Sequence, residues 1–148
     1  MSFAYTRFTQ DLGRGLVNLQ EAGADIRVIL VMSNTTADTE RDVATISAFA
    51  TLDEYDGANY VRKALALQTF DEDQPNDRSE FDASDIQWAA LGVGTRQAVG
   101  MIVFRFVTND TDSVPICYID TGGFPFDGNG GNIDVAWNAQ GILQVTAP

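Results

Sequence analysis

The chain has 148 residues, of which 21 are acidic and 9 are basic, so its formal net charge is −12 and its isoelectric point is near 4.1. This length is typical of one domain with its own core, and so acidic a surface disfavours binding to nucleic acid. The sequence has no histidine and one cysteine, which excludes a Ser-His-Asp triad, a histidine-ligated zinc site and a disulfide within the chain.

The N-terminal segment carries apolar residues at helical spacing. Phe8, Leu12 and Leu16 recur every four residues, and Gly13 then weakens the pattern, which predicts a short helix to about Gly13. We expect a single β-sandwich domain over residues 1–148, with residues 1–22 as a helical segment that packs on it, followed by a loop at residues 22–25. No run is apolar or long enough for a signal peptide or a membrane span, so a soluble protein without membrane partners is predicted.

Three elements are predicted next. Residues 26–32 are nearly all apolar, which is typical of a central strand covered on both faces. Residues 39–49 have the pattern of a helix, with Thr39 as the N-cap and Asp42 three positions later, and we expect this helix to cover an edge or end of the sheet. Alternation of side chains over residues 60–70 predicts one long strand.

Residues 71–77 form the most acidic segment, with four carboxylates in seven residues. Acidic loops supply the oxygen ligands that calcium prefers, so a cation site is one interpretation. The spacing of a calcium-binding loop is absent, however, because Pro75 lies in the middle and no glycine provides the turn. The sequence favours a solvated hairpin loop, and we predict no metal and no cofactor.

The second half of the chain has the strongest strand patterns. Phe81 and residues 86–88 predict two short strands or one bent strand, and residues 91–94 a flexible connection. Residues 95–107 and 114–121 flank a turn of Asn, Asp, Thr and Ser and predict a long hairpin. Its second strand contains the only cysteine, Cys117, which we expect to be a small buried apolar residue.

A glycine-rich loop over residues 122–131 contains the one candidate contact site, Phe124, Pro125 and Phe126. Two interpretations remain open for this apolar knob. The phenylalanines fold back under the sheet, or they contact another subunit, since protruding loops are where partners bind.

The C-terminal segment, residues 133–146, alternates apolar and polar residues on both sides of Gly141 and predicts a terminal hairpin. Together these patterns predict a mainly β fold. It is an antiparallel β-sandwich or partly closed barrel of seven to eight strands, with one or two short covering helices.

Paired carboxylates are the catalytic groups of glycosidases, so the many acidic residues do not formally exclude that activity. Acidic side chains in turns are ordinarily just solvated, however, so no catalytic residue and no enzymatic activity are predicted.

Five segments resemble a family of small virion structural proteins of tailed bacteriophages, which are encoded among head and tail genes. They are DIRVILV (25–31), SEFDASDIQW (79–88), TRQAV (95–99), PICYIDTGG (115–123) and NIDVAWNAQGIL (132–143). The resemblance covers nearly the whole chain. Its residues belong to strands, turns and the Asp-x-x-Trp motif at residues 85–88, and none of them is a chemical signature.

The resemblance implies a non-enzymatic virion protein, assembled in the host cytoplasm. A capsid decoration, cement or minor head protein that binds the shell and self-associates is the leading hypothesis, with the major capsid protein or other virion proteins as partners and without nucleic acid. One alternative is a tail, neck or connector subunit. Another is a glycan-binding virion module that uses exposed aromatic rings, namely Tyr55, Tyr60, Phe124 or Phe126, as stacking platforms.

Overall fold

A computed structural model describes residues 2–20 and 25–146. Over these residues the fold is mainly β, with ten strands, one α-helix and two short 3₁₀ helices. The strands are β1 (Phe3–Ala4), β2 (Asp25–Met32), β3 (Lys63–Ala64), β4 (Thr69–Asp73), β5 (Arg78–Asp82), β6 (Ile86–Trp88), β7 (Ala98–Phe106), β8 (Val114–Ile119), β9 (Ile133–Val135) and β10 (Leu143–Thr146). The helix α1 spans Thr6–Gly13, and the 3₁₀ helices span Ile46–Ala48 and Gln74–Asn76.

The strands form three antiparallel sheets. The largest has the order β1-β8-β7-β2-β3, a second has the order β10-β5-β4, and β6 pairs with β9 in a third. The two smaller sheets lie against one face of the large sheet, so the predicted β-sandwich class is confirmed, without a closed barrel.

The large sheet is buried on both faces, as predicted for β2. Even-numbered residues of β2, such as Val28 and Leu30, pack in the main core with Phe81 and Trp88 of the smaller sheets. Odd-numbered residues such as Ile29 pack in a second cluster on the opposite face. Because side chains alternate along a strand, one nearly continuous apolar run serves two cores.

Several further predictions are confirmed. The helix α1 ends at Gly13, and its Phe8 enters the main core. Residues 1, 21 and 22 of the predicted N-terminal segment, and most of the loop predicted at 22–25, lie outside the described residues. The hairpin of β7 and β8 forms as predicted, β5 and β6 are the two short strands, and Cys117 is buried on β8.

The predicted helix over residues 39–49 is wrong, because side chains and distant backbone groups bond this segment instead. The Glu40 carboxylate accepts hydrogen bonds from the Thr36 hydroxyl (2.6 Å) and the Ala50 amide (2.9 Å). The Ile46 amide donates to the Ser113 carbonyl (2.9 Å) instead of to a carbonyl four residues earlier. Only Ile46–Ala48 is helical, as a 3₁₀ turn, and the segment still covers the second core.

The single long strand predicted over residues 60–70 is also wrong. Leu67 has a φ of 54°, in the left-handed region, and this interrupts the extended chain. Before it, Leu65 donates to the Ile26 carbonyl in the large sheet, and after it, Thr69 begins β4 in the three-stranded sheet. The chain therefore crosses between the two layers at this point. The acidic residues 71–77 do lie in a hairpin of β4 and β5, but the predicted loop is shorter, because residues 71–73 belong to β4 and only residues 74–77 form the turn.

The terminal hairpin is the third incorrect prediction. Gly141 makes the predicted turn with a φ of 81°, but the two arms do not pair with each other. The first arm, β9, pairs with β6, and the second, β10, pairs with β5. Strands β5 and β6 are consecutive and each offers a free edge, so each captures one arm of the returning chain.

Candidate docking cleft

A cleft of about 760 Å³ opens between the two layers at one end of the sandwich. One wall is the inner face of the large sheet, where Met101 of β7 lies opposite Ile119 of β8. The other wall is the returning C-terminal chain, and the glycine-rich loop forms the rim. The lining residues are Ser2, Met101, Ile119, Thr121–Phe124, Phe126, Asn132–Asn138, Gly141, Ile142 and Gln144.

The structure places two of the three predicted contact residues in this cleft. Phe124 and Phe126 are half-buried against the main core, with their ring centroids 5.3 Å apart, and Pro125 between them is exposed. The Phe124–Pro125 peptide bond is cis. Both rings therefore fold back toward the sheet while still lining the cleft. Contact of this tripeptide with another subunit stays a prediction.

Backbone hydrogen bonds fix the rim. Phe126 and Ala98 exchange two of them, amide to carbonyl in each direction, at 2.9 and 3.0 Å. This short bridge attaches the loop to the start of β7. Further along, Gly130 donates to the Leu91 carbonyl at 2.8 Å.

Tyr55 anchors the far end of the same loop. Its hydroxyl accepts hydrogen bonds from the amides of Gly94 and Gly128 and donates one to the Gly92 carbonyl, each at 2.9 Å. Tyr55 is only 2% exposed, so water has little access to the position of its hydroxyl and could not easily take over these hydrogen bonds. The glycines allow the close approach, since a Cβ atom on Gly128 would lie 2.1 Å from the Gly92 carbonyl oxygen. One buried tyrosine thus joins two glycine-rich segments that look flexible in the sequence.

Trp137 is held in the opposite wall. Its indole Nε1 donates to the Ser84 carbonyl at 3.0 Å, and its backbone amide donates to the Asp85 carboxylate at 2.9 Å. Trp137 shares one face of its segment with Ile133 and Val135, which is the alternation visible in the sequence. Sequence reasoning did not assign Trp137 to a site, because a period of two identifies a face but not what that face covers.

The lining of the cleft is almost uncharged. It includes one carboxylate, Asp134, which accepts a hydrogen bond from the Gln87 amide at 2.5 Å, and it includes no lysine or arginine. The other polar lining groups are hydroxyls and amides. The cleft therefore suits a neutral, partly apolar ligand or peptide segment and gives no positive charge to an anion.

Elsewhere, basic side chains are largely neutralised by neighbouring carboxylates. Five arginines form ion pairs within the described residues, namely Arg7, Arg27, Arg62, Arg78 and Arg96. Arg62 bonds both Glu54 (2.7 Å) and Asp110 (2.5 Å), and this contact holds the pKa of the Asp110 carboxyl below its usual value. Pairing on this scale leaves little positive potential for a phosphate backbone.

Two predicted stacking platforms are wrong. Tyr55 is buried with its hydroxyl fully engaged, and Tyr60 packs between Tyr55 and Trp88 while its hydroxyl bonds Glu54. Burial also raises the pKa of the Tyr60 hydroxyl. Tyr55 therefore offers no exposed face, and the half-buried Tyr60 ring has one face stacked on Trp88.

The acidic hairpin shows no grouping of ligands. Asp73 is ion-paired with Arg78, and across residues 2–20 and 25–146 there is no cluster of three or more side chains suited to a metal.

Within the same residues, no helix has the length and apolarity needed to cross a membrane.

Comparison with protein-family models, with curated proteins and with solved structures found no match.

Proposed function

We propose that the chain is a non-enzymatic structural protein of a tailed-bacteriophage virion, namely a capsid decoration, cement or minor head protein. The proposal rests on the resemblance of five sequence segments to such proteins. One structural observation supports it: a nearly uncharged cleft with a fixed aromatic rim lies on an otherwise strongly acidic chain.

The cleft is suited to a segment of a neighbouring virion protein. Acidic surfaces of adjacent molecules repel one another, so a contact between shell proteins is best made where carboxylates are few. Phe124 and Phe126 provide aromatic contact area there, and the bonds from Ala98 and Tyr55 hold the loop in place before a partner binds. A preformed site loses less conformational entropy on binding than a mobile loop does.

A reconstitution experiment tests the role of the cleft. Phage particles that lack the chain are incubated with purified protein, and bound protein is measured after sedimentation of the particles. We expect Phe124→Ala to weaken binding at least tenfold, about the effect of losing one well-packed aromatic contact. Phe106→Ala is the matched control, because Phe106 is half-buried in the second core, away from the cleft. Equal binding by both variants would show that the cleft is not the contact.

Saccharide binding is a second candidate, and the composition of the cleft favours it. Aromatic rings beside amides, hydroxyls and one carboxylate fit a neutral, hydroxyl-rich ligand, and the volume is within the usual range for small-molecule sites. A glycan array separates the two candidates. Binding that is lost in Phe124→Ala supports a glycan ligand, and a silent array with intact particle binding supports the structural role alone.

A further inference from the structure

The outermost strand of the three-stranded sheet, β10, is an uncharged edge. Its four residues are Leu, Gln, Val and Thr, and it pairs with β5 on one side only. Within residues 2–20 and 25–146, no strand pairs with its outer side. Val145 is 39% exposed, and Gln144 and Thr146 are also exposed. An exposed edge of β-branched and neutral residues is a template for another strand.

Every other edge strand among the described residues is short or charged. Strands β1 and β3 have two residues each, and β6 and β9 have three. The opposite edge of the same sheet, β4, carries Asp71, Glu72 and Asp73 in succession. Charges on an edge prevent pairing with a further strand, so β4 is protected in a way that β10 is not.

We propose that β10 pairs with β10 of a second copy of this chain, antiparallel and across a two-fold axis. The product is a continuous six-stranded sheet with the order β4-β5-β10-β10-β5-β4. Each copy has a net charge of −12, so two copies attract only where carboxylates are absent, and β10 is such a place. The acidic β4 strands end the sheet on both sides, which closes the assembly at a dimer and prevents a fibre.

The sequence of β10 is self-complementary in this arrangement. A two-fold axis through Gln144 places Leu143 of one copy opposite Val145 of the other, so apolar side chains meet on one face. The two Gln144 side chains then lie opposite each other on the polar face. Gln144 also lines the cleft, but the pairing uses the backbone edge of β10 and needs no ligand there. It does not depend on the proposed virion role and would survive if that role were wrong.

Cysteine cross-linking tests the register. Directly opposite residues of antiparallel strands have Cα atoms about 4.5 or 5.5 Å apart, within the range of a disulfide. We expect Gln144→Cys to form a covalent dimer under mild oxidation, measured on a non-reducing gel. Glu72→Cys on the β4 edge is the control and should stay monomeric. The native Cys117 is buried, so it gives little background.

Sedimentation velocity tests the association itself. Four paired residues bury little surface, so a weak, concentration-dependent dimer is expected for the native chain. Val145→Lys should remove it by placing one charge opposite the apolar Leu143 on each side of the axis. Val93→Lys, at a residue that is 68% exposed and outside the strands, should dimerise like the native chain. The proposal is overturned if the native chain is monomeric throughout, or if Gln144→Cys cross-links no faster than Glu72→Cys.

Discussion

Replacement of Tyr55 by phenylalanine removes one hydroxyl group that makes three hydrogen bonds and leaves the ring in place. The amides of Gly94 and Gly128 and the carbonyl of Gly92 all lose a partner. The Gly128 amide is buried, and leaving it unpaired costs about 2 kcal/mol, while the other two groups add about 0.5 to 1 kcal/mol each. We expect a total loss of about 3 to 4 kcal/mol in the free energy of unfolding.

Tyr5→Phe is the matched control for this change. Tyr5 is fully buried, and its hydroxyl donates a single hydrogen bond, to the Ala37 carbonyl at 2.8 Å. Its loss should cost about 1 kcal/mol. For a chain of 148 residues, 1 kcal/mol lowers the melting temperature by about 3 °C, so the two variants should melt about 10 °C and about 3 °C below the native protein.

Thermal unfolding followed by circular dichroism measures both values. Amide hydrogen exchange then locates the effect, because Tyr55→Phe should accelerate exchange at Gly94 and Gly128 while Tyr5→Phe leaves them unchanged. Equal losses of stability in the two variants would refute the view that Tyr55 fastens the glycine-rich loop.

Three further outcomes are expected. Gly128→Ala should destabilise the protein by about 1 to 3 kcal/mol in urea unfolding, because its Cβ would press on the Gly92 carbonyl. Burial raises the pKa of the Cys117 thiol to about 12, so it should resist alkylation at about pH 8 until the chain is unfolded, as mass spectrometry would show. The bond to Arg62 lowers the pKa of the Asp110 carboxyl in the folded chain. As the pH falls, this carboxyl is therefore protonated in the unfolded chain before it is protonated in the folded chain. Stability from the pair is therefore present above about pH 4 and lost below it, and Asp110→Asn should reduce the acid-induced fall in melting temperature.

The sequence predicted correctly those strands and turns that form from residues close together in the chain. The apolar runs of β2 and β7 identify strands that are buried on both faces wherever they pair, and the turn of residues 109–113 can close only the hairpin between β7 and β8. In these cases the nearest partner along the chain is also the partner in space.

The failures share a cause, because each segment bonds to groups outside its own local pattern. The alternation in residues 133–146 correctly indicated extended chain, but β5 and β6 compete successfully with local pairing. Residues 39–49 have a helical pattern, yet Glu40 and the turn near Ser113 satisfy their backbone differently. Tertiary hydrogen bonds outweigh a helix propensity of a few tenths of a kcal/mol per residue.

The candidate cleft could be predicted only in part. Phe124 and Phe126 stood out as apolar residues within a glycine-rich loop, and both line it. Trp137 was not predicted, because its position depends on the unexpected pairing of β9 with β6. Tyr55 was predicted only as an exposed stacking ring, because nothing local to it indicates that its hydroxyl bonds the distant loop. Two glycine clusters at residues 92–94 and 128–131 were the available hint, because glycines often mark a close approach to another group.

Immunogold electron microscopy of intact phage particles, with an antibody against this chain, tests the proposed function most directly. We predict label spread over the capsid surface, in amounts that match the copies found by mass spectrometry of purified particles. Label confined to the neck or tail would assign the chain to a connector or tail role instead of decoration. Absence of the chain from purified particles would contradict a virion role altogether.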